Sequence, residues 1–149
     1  MRITFFQDYP YWGCPTSVNY FTQNLLSVLD VKFSETNALF LVHDKNTNLN
    51  SVYACGTNLE FQCGFKKSGI ILPKKINLPD EPIQIATGKK HSLILTKDRK
   101  FYLIGKSKFL NEDLTHDIIR ELPNFSLKEN QEVIKMDCLD DNISLLIKN

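Results

Sequence analysis

Val52-Tyr53-Ala54-Cys55-Gly56 is answered 49 positions later by Phe101-Tyr102-Leu103-Ile104-Gly105. Each is an apolar run of strand length closed by a glycine. Upstream of each lies an apolar strand pair, spanning residues 31–42 in the first copy and 83–96 in the second. A period near 50 residues made of short strands signals stacked sheet units rather than one closed core. Units of this kind usually present a binding surface, which weighs against an enzyme.

The second unit is the clearest. Ile83 and Ile85 alternate with Gln84 after Pro82, and Gly88-Lys89-Lys90 is a turn signal. Ser92 to Thr96 then runs as a second apolar strand. Lys97-Asp98-Arg99-Lys100 makes a charged hairpin turn, and Phe101 to Ile104 is a third strand ended by Gly105. The first unit repeats the plan: residues 30–33 alternate, Glu35-Thr36-Asn37 turns, and Ala38 to Val42 runs back. Its next hairpin, rich in Asn between Asp44 and Asn50, carries a five-residue insertion relative to the second unit.

The third unit is half present. Val133 to Cys138 alternates, Leu139-Asp140-Asp141-Asn142 turns, and Ile143 to Ile147 runs back. Ile3-Thr4-Phe5-Phe6 reads as an orphaned strand able to complete it, which would remove a free sheet edge. Two helical patches are predicted between the sheets. Val18, Phe21, Leu25 and Leu29 recur at three or four residues after Pro15-Thr16. Leu114, Ile118, Ile119 and Leu122 do so after Asn111-Glu112-Asp113, and Pro123 stops them. The expected architecture is all-β with two short helices. It is one domain, 1–149, of three units: about 29–81, 82–131, and 132–149 completed by 1–15.

A chain of 149 residues with 42% hydrophobic and 23% charged residues has the composition of a soluble globular protein. No apolar run reaches the roughly 18 residues that span a bilayer, and no membrane association is expected. The N-terminus turns polar too early for a signal peptide. The expected location is intracellular, cytoplasmic or nuclear, with the four cysteines mostly reduced. The net charge of +1 hides an asymmetry. Residues 66–108 hold eleven Lys/Arg against three Asp/Glu, and residues 109–149 hold four against nine. Blocks of this kind bear on partners more than on fold.

Residues 83–105 and 52–64 carry a more specific signal. Ile85-Ala86-Thr87-Gly88-Lys89-Lys90-His91-Ser92-Leu93-Ile94-Leu95-Thr96, and Val52-Tyr53-Ala54-Cys55-Gly56-Thr57-Asn58 continuing to Gln62-Cys63-Gly64, resemble the regulator of chromosome condensation repeat. That pattern reads Ile-Ala-x-Gly-x-x-His-Ser-Leu-x-Leu-Thr, then Val-Tyr-x-Trp-Gly-x-Asn-x-x-Gly-Gln-Leu-Gly. Cys55 stands in place of its Trp, Phe61 of its Gly and Cys63 of its Leu. The resemblance implies four-stranded blades of a β-propeller, with Gly56, Gly64, Gly88, His91 and Gly105 as structural blade residues. Propellers close with about four to eight blades. Three would form an incomplete ring, either an arc packed on a partner or a homodimer whose two copies complete one ring.

The residues that could carry chemistry have plainer readings. Cys14, Cys55, Cys63 and Cys138 lack the spacing of a zinc site, and Cys55 and Cys63 read as small core hydrophobes. The resemblance makes His91 a blade-stabilising hydrogen bonder. His43 and His116 read as solvated, and Asp137, Asp140 and Asp141 as a solvated turn rather than a calcium loop. No phosphate loop, nucleophile elbow or metalloprotease motif is present, so no catalytic residue, metal or cofactor is expected. The basic block remains: Lys66, Lys67, Lys74, Lys75, Lys89, Lys90, Lys97, Arg99 and Lys100. These predict a non-catalytic protein docking on a larger protein or ribonucleoprotein assembly through its middle unit, with RNA or DNA phosphates as one contact. On a propeller the Lys89-Lys90 turn and the 97–100 hairpin fall on opposite rims. The alternative, implied by the resemblance, is a guanine nucleotide exchange or regulatory factor for a small GTPase.

Overall fold

The computed structural model describes residues 21, 23–106, 118–123, 125–139 and 142–149. The strand expected at 3–6 lies outside them, as do Cys14, Val18, Lys108, Leu114, His116, Asp140 and Asp141. The described residues form three antiparallel sheets. The first runs β1 (Leu26–Phe33), β2 (Asn37–Asp44), β3 (Leu49–Thr57) and β4 (Ile70–Lys75) in sequence order. The second runs β5 (Pro82–Thr87), β6 (His91–Thr96), β7 (Phe101–Gly105) and β8 (Ile119–Glu121). The third pairs β9 (Glu132–Leu139) with β10 (Asn142–Lys148).

The registers confirm the repeat. Asn37 faces Gly56 across β2 and β3, as His91 faces Gly105 across β6 and β7. The insertion falls in the strands. Both hairpin turns span four residues, but β2 has eight residues against six in β6. β3 likewise starts three residues further from its glycine than β7 does.

Phe21 and Gln23 are helical, but the predicted helices give way to strand from Leu26 and from Ile119. Leu25 takes a left-handed φ of 58°, which an α-helix interior does not admit, and Leu26 opens β1. Leu29 is therefore a strand residue, and β1 bonds along β2. At the second patch Ile119, Arg120 and Glu121 pair with Ile104, Leu103 and Tyr102. The open edge of β7 offers a row of backbone partners that a helix could not use. Apart from those stretches, the fold is the expected all-β arrangement of stacked blades.

Alternating side chains stack the sheets. Leu39, Leu41, Val52 and Ala54 of the first sheet pack on Ile85, Ile94 and Ile104 of the second. The opposite face of the second sheet, with Leu93, Leu95, Phe101 and Leu103, packs on Val133, Met136 and Cys138. Both faces of β6 and β7 are thus covered, which explains their unbroken apolar runs. The far face of the first sheet is covered in part by Phe21, whose ring lies 4.8 Å from Phe40 and edge-on to Tyr53 at 5.6 Å. Cys55 is buried there as expected, but it is disulfide-bonded rather than reduced; Cys63 and Cys138 are free thiols.

Candidate functional site

Antiparallel pairing sends alternate turns to opposite rims of the stack. One rim gathers residues 34–36, 58–69, 88–90 and 105–106; the other gathers the turns at 45–48 and 97–100 and the segments 76–81 and 122–131. Two equivalent bonds build the first rim: the Thr57 amide donates to Thr36 O at 2.8 Å, and the Lys106 amide to Lys90 O at 2.9 Å. Asn58 shapes the long loop. Its Oδ1 accepts from the Cys63 amide at 2.9 Å, and its Nδ2 donates to Phe65 O at 2.7 Å and Lys67 O at 2.6 Å.

Polar groups, buried except at Thr36 and Lys89, then join the first sheet to the second at this rim. Asn37 Nδ2 donates to Thr87 Oγ1 at 3.2 Å, and Thr87 Oγ1 lies 3.0 Å from Ser92 Oγ. Ser92 Oγ donates to Gln62 O at 3.1 Å, and Thr36 Oγ1 to Lys89 O at 3.4 Å. A satisfied network of this kind fixes the loops relative to one another. Of the resemblance-derived blade residues, Gly56, Gly64 and Gly105 take positive φ. Gly88 does not; it is buried, and its amide donates to His91 O at 2.8 Å. His91 is fully buried.

The structure sorts the basic block by rim and by what each cation touches. On the first rim Lys66, Lys67 and Lys90 are exposed and make no ion pair with a described residue. Lys89 reaches Glu35 at 3.4 Å and Lys106 reaches Glu60 at 3.8 Å, both near the surface. Among the described residues of this rim, five lysines therefore stand against two glutamates. On the second rim the cations of the block are engaged, while Lys45 and Lys128, outside the block, are exposed there and make no ion pair with a described residue. Lys97 pairs with Glu81 at 2.5 Å and Lys100 with Glu121 at 3.6 Å. The Arg99 guanidinium donates to Lys128 O and, at 2.8 Å, to Gln131 O. Lys74 lies over the Phe65 ring, 4.7 Å from its centroid, while Lys75 lies at the end of edge strand β4. The block thus divides into a cationic rim and a charge-balanced one. Lys106 belongs with the first group; its place after Gly105, matching Thr57 after Gly56, was the sequence signal for it. The tempering glutamates Glu35 and Glu60 carry no such signal.

Burial pushes the Cys63 and Cys138 thiols up to about 12, so neither is a nucleophile at neutral pH. Among the described residues, no three His, Cys, Asp or Glu side chains are grouped to hold a metal ion. No helix among them is long and apolar enough to cross a membrane.

No protein-family model matches the chain, and no curated protein matches it significantly. Solved structures do. Human WBSCR16 is 23% identical with a TM-score of 0.63, over 80% of this chain. Prp20p of Saccharomyces cerevisiae, whose binding to Gsp1p and histones is described with its structure, is 20% identical with a TM-score of 0.51 over 74%. The same yeast RCC1 (Prp20) in complex with Kap60 gives 20% and 0.52 over 76%. The chain spans only 30%, 29% and 28% of those three chains. Two four-stranded sheets and a two-stranded third, stacked in sequence order, thus have the fold of the regulator of chromosome condensation repeat, as part of a β-propeller.

Proposed function

We propose that the chain is a non-catalytic binding module that docks on a larger macromolecular assembly through the cationic rim of its first two sheets. The observation that carries this reading is the unequal treatment of charge. On the second rim Lys97, Lys100 and Arg99 are closed onto glutamates and carbonyl oxygens, whereas Lys66, Lys67 and Lys90 stand exposed beside a rigid polar network. Cations kept free on a fixed frame raise the local concentration of an anionic partner and orient it. Protein partners are described for the yeast neighbour in the same fold, which supports a protein-containing assembly.

The test is affinity capture from cell extract with the parent chain and with Lys66→Glu, Lys67→Glu and Lys90→Glu combined. The parent retains an assembly that is lost steeply between about 50 and 200 mM salt, and the triple variant retains none of it. Equal retention by both proteins overturns the reading. A guanine-nucleotide release assay separates it from an exchange factor: acceleration of release from a small GTPase would replace docking with catalysed exchange.

A further inference from the structure

The cationic rim is not uniformly polar. Leu59 stands on it 63% exposed, between Asn58, whose side chain holds Lys67 O at 2.6 Å, and Glu60, which lies 3.8 Å from the Lys106 ammonium. An apolar residue of that size at the tip of a loop loses hydration free energy unless something covers it. Its loop is not free to fold it away. Asn58 accepts and donates three bonds within residues 63–67, and Gln62 O receives Ser92 Oγ across the sheet junction. The leucine is therefore held outward on a rigid mount, on the rim that also carries the exposed lysines.

We infer that the rim's partner is an acidic protein segment carrying an apolar pocket or side chain that seats Leu59. This rests on the docking reading above and names its partner class. Phosphate backbones are the other source of negative charge, and the rim suits them less well. Its cations are lysines, point charges without the bidentate fork that reads phosphate. Phe61 and Phe65 are half-buried against the core rather than offered as stacking faces. An apolar anchor on a charged rim is the anatomy of a protein interface.

Selection from a phage-displayed random dodecapeptide library on the immobilised chain tests this. The expected outcome is enrichment of peptides with Asp or Glu on both sides of a large apolar residue. For the strongest peptide, Leu59→Ser weakens binding about tenfold or more, and the Lys66→Glu, Lys67→Glu, Lys90→Glu variant abolishes it. Thermal melts of both variants matching the parent's show that folding is not the cause. The inference falls if no acidic motif is enriched, if Leu59→Ser binds as the parent does, or if an oligothymidylate of about 20 nucleotides binds more tightly than any selected peptide. Should it fall while the triple variant still loses its captured assembly, the docking reading survives; if capture is unaffected, both fall.

Discussion

A Cβ on Gly105 would stand 2.5 Å from Lys90 O and 2.9 Å from the Cα of Gln62, and one on Gly56 would stand 2.6 Å from Thr36 O. Both residues hold φ near +100°, at +86° and +107°, where an L side chain is strained. Strain and backbone collision therefore act together at these two positions. Gly69 has the strain alone, with φ +112° and no atom within 4 Å of its Cβ position. Gly105→Ala and Gly56→Ala are expected to lose about 2 kcal/mol or more, and Gly69→Ala about 1 kcal/mol. Urea unfolding of the three variants checks this, and equal losses would show that the close approach to the turn contributes nothing. The glycines that precede the rim loops were legible in the sequence because they end apolar runs at matched spacing. Phe61 was legible only as a departure from the repeat pattern. Where the repeat pattern has glycine it takes a left-handed backbone, at φ 59°, and its ring packs on the core between the first two sheets. Tertiary contact offsets a local cost that sequence reading has no means to see.

At the scale of elements, eight of the ten strands among the described residues announce themselves as apolar or alternating runs, and the fourth strands of the two larger sheets, β4 and β8, do not. Strand β4 carries Pro73, Lys74 and Lys75, which suit an edge that must not recruit another strand. Strand β8 has only three residues, and its Ile118-Ile119 spacing to Leu122 imitates a helix. Short edge strands are specified by the neighbour's open backbone rather than by their own pattern. The sheet-to-sheet joints were equally silent. On the second rim the Asn50 amide donates to Glu81 Oε1 at 3.0 Å and Lys97 Nζ reaches Oε2 at 2.5 Å, which ties the first hairpin to the second. Lys97's ammonium, then the Asn50 amide, hold the Glu81 carboxyl below its ordinary 4.5. A depressed acid stabilises the fold above its unfolded-state value, and that contribution disappears as pH falls through the lower folded-state value. Glu81→Gln is therefore expected to melt below the parent at pH 7 and to converge with it by about pH 2. Melts that stay equally separated across that range would remove Glu81 from the acid response.

For the whole molecule, the second sheet is the keystone, because its two faces belong to different cores. Ile85, Ile94 and Ile104 face the first sheet, while Leu93, Leu95 and Leu103 face the third. The joint to the third sheet has added ties: Gln84 Nε2 donates to Val133 O at 2.5 Å, and Arg99 holds the carbonyl oxygens of Lys128 and Gln131. Arg99 was predicted from its charge as a partner contact, yet its guanidinium serves this internal joint, a role that depends on which chain segment folds beneath the hairpin. In a stack where each unit touches only its neighbours, stability is a sum of unit and junction contributions. Adjacent residues of one strand should then weaken different junctions. Ile94→Ala and Leu93→Ala each remove a fully or almost fully buried side chain and are expected to cost about 2–4 kcal/mol. Their hydrogen-exchange maps should differ. Leu93→Ala is expected to lose protection first in Glu132–Leu139 and Asn142–Lys148 while Asn37–Asp44 stays protected; Ile94→Ala should do the reverse. Identical maps for the two variants would mean that the sheets unfold as a single cooperative body, and the nearest-neighbour description of this stack would have to be abandoned.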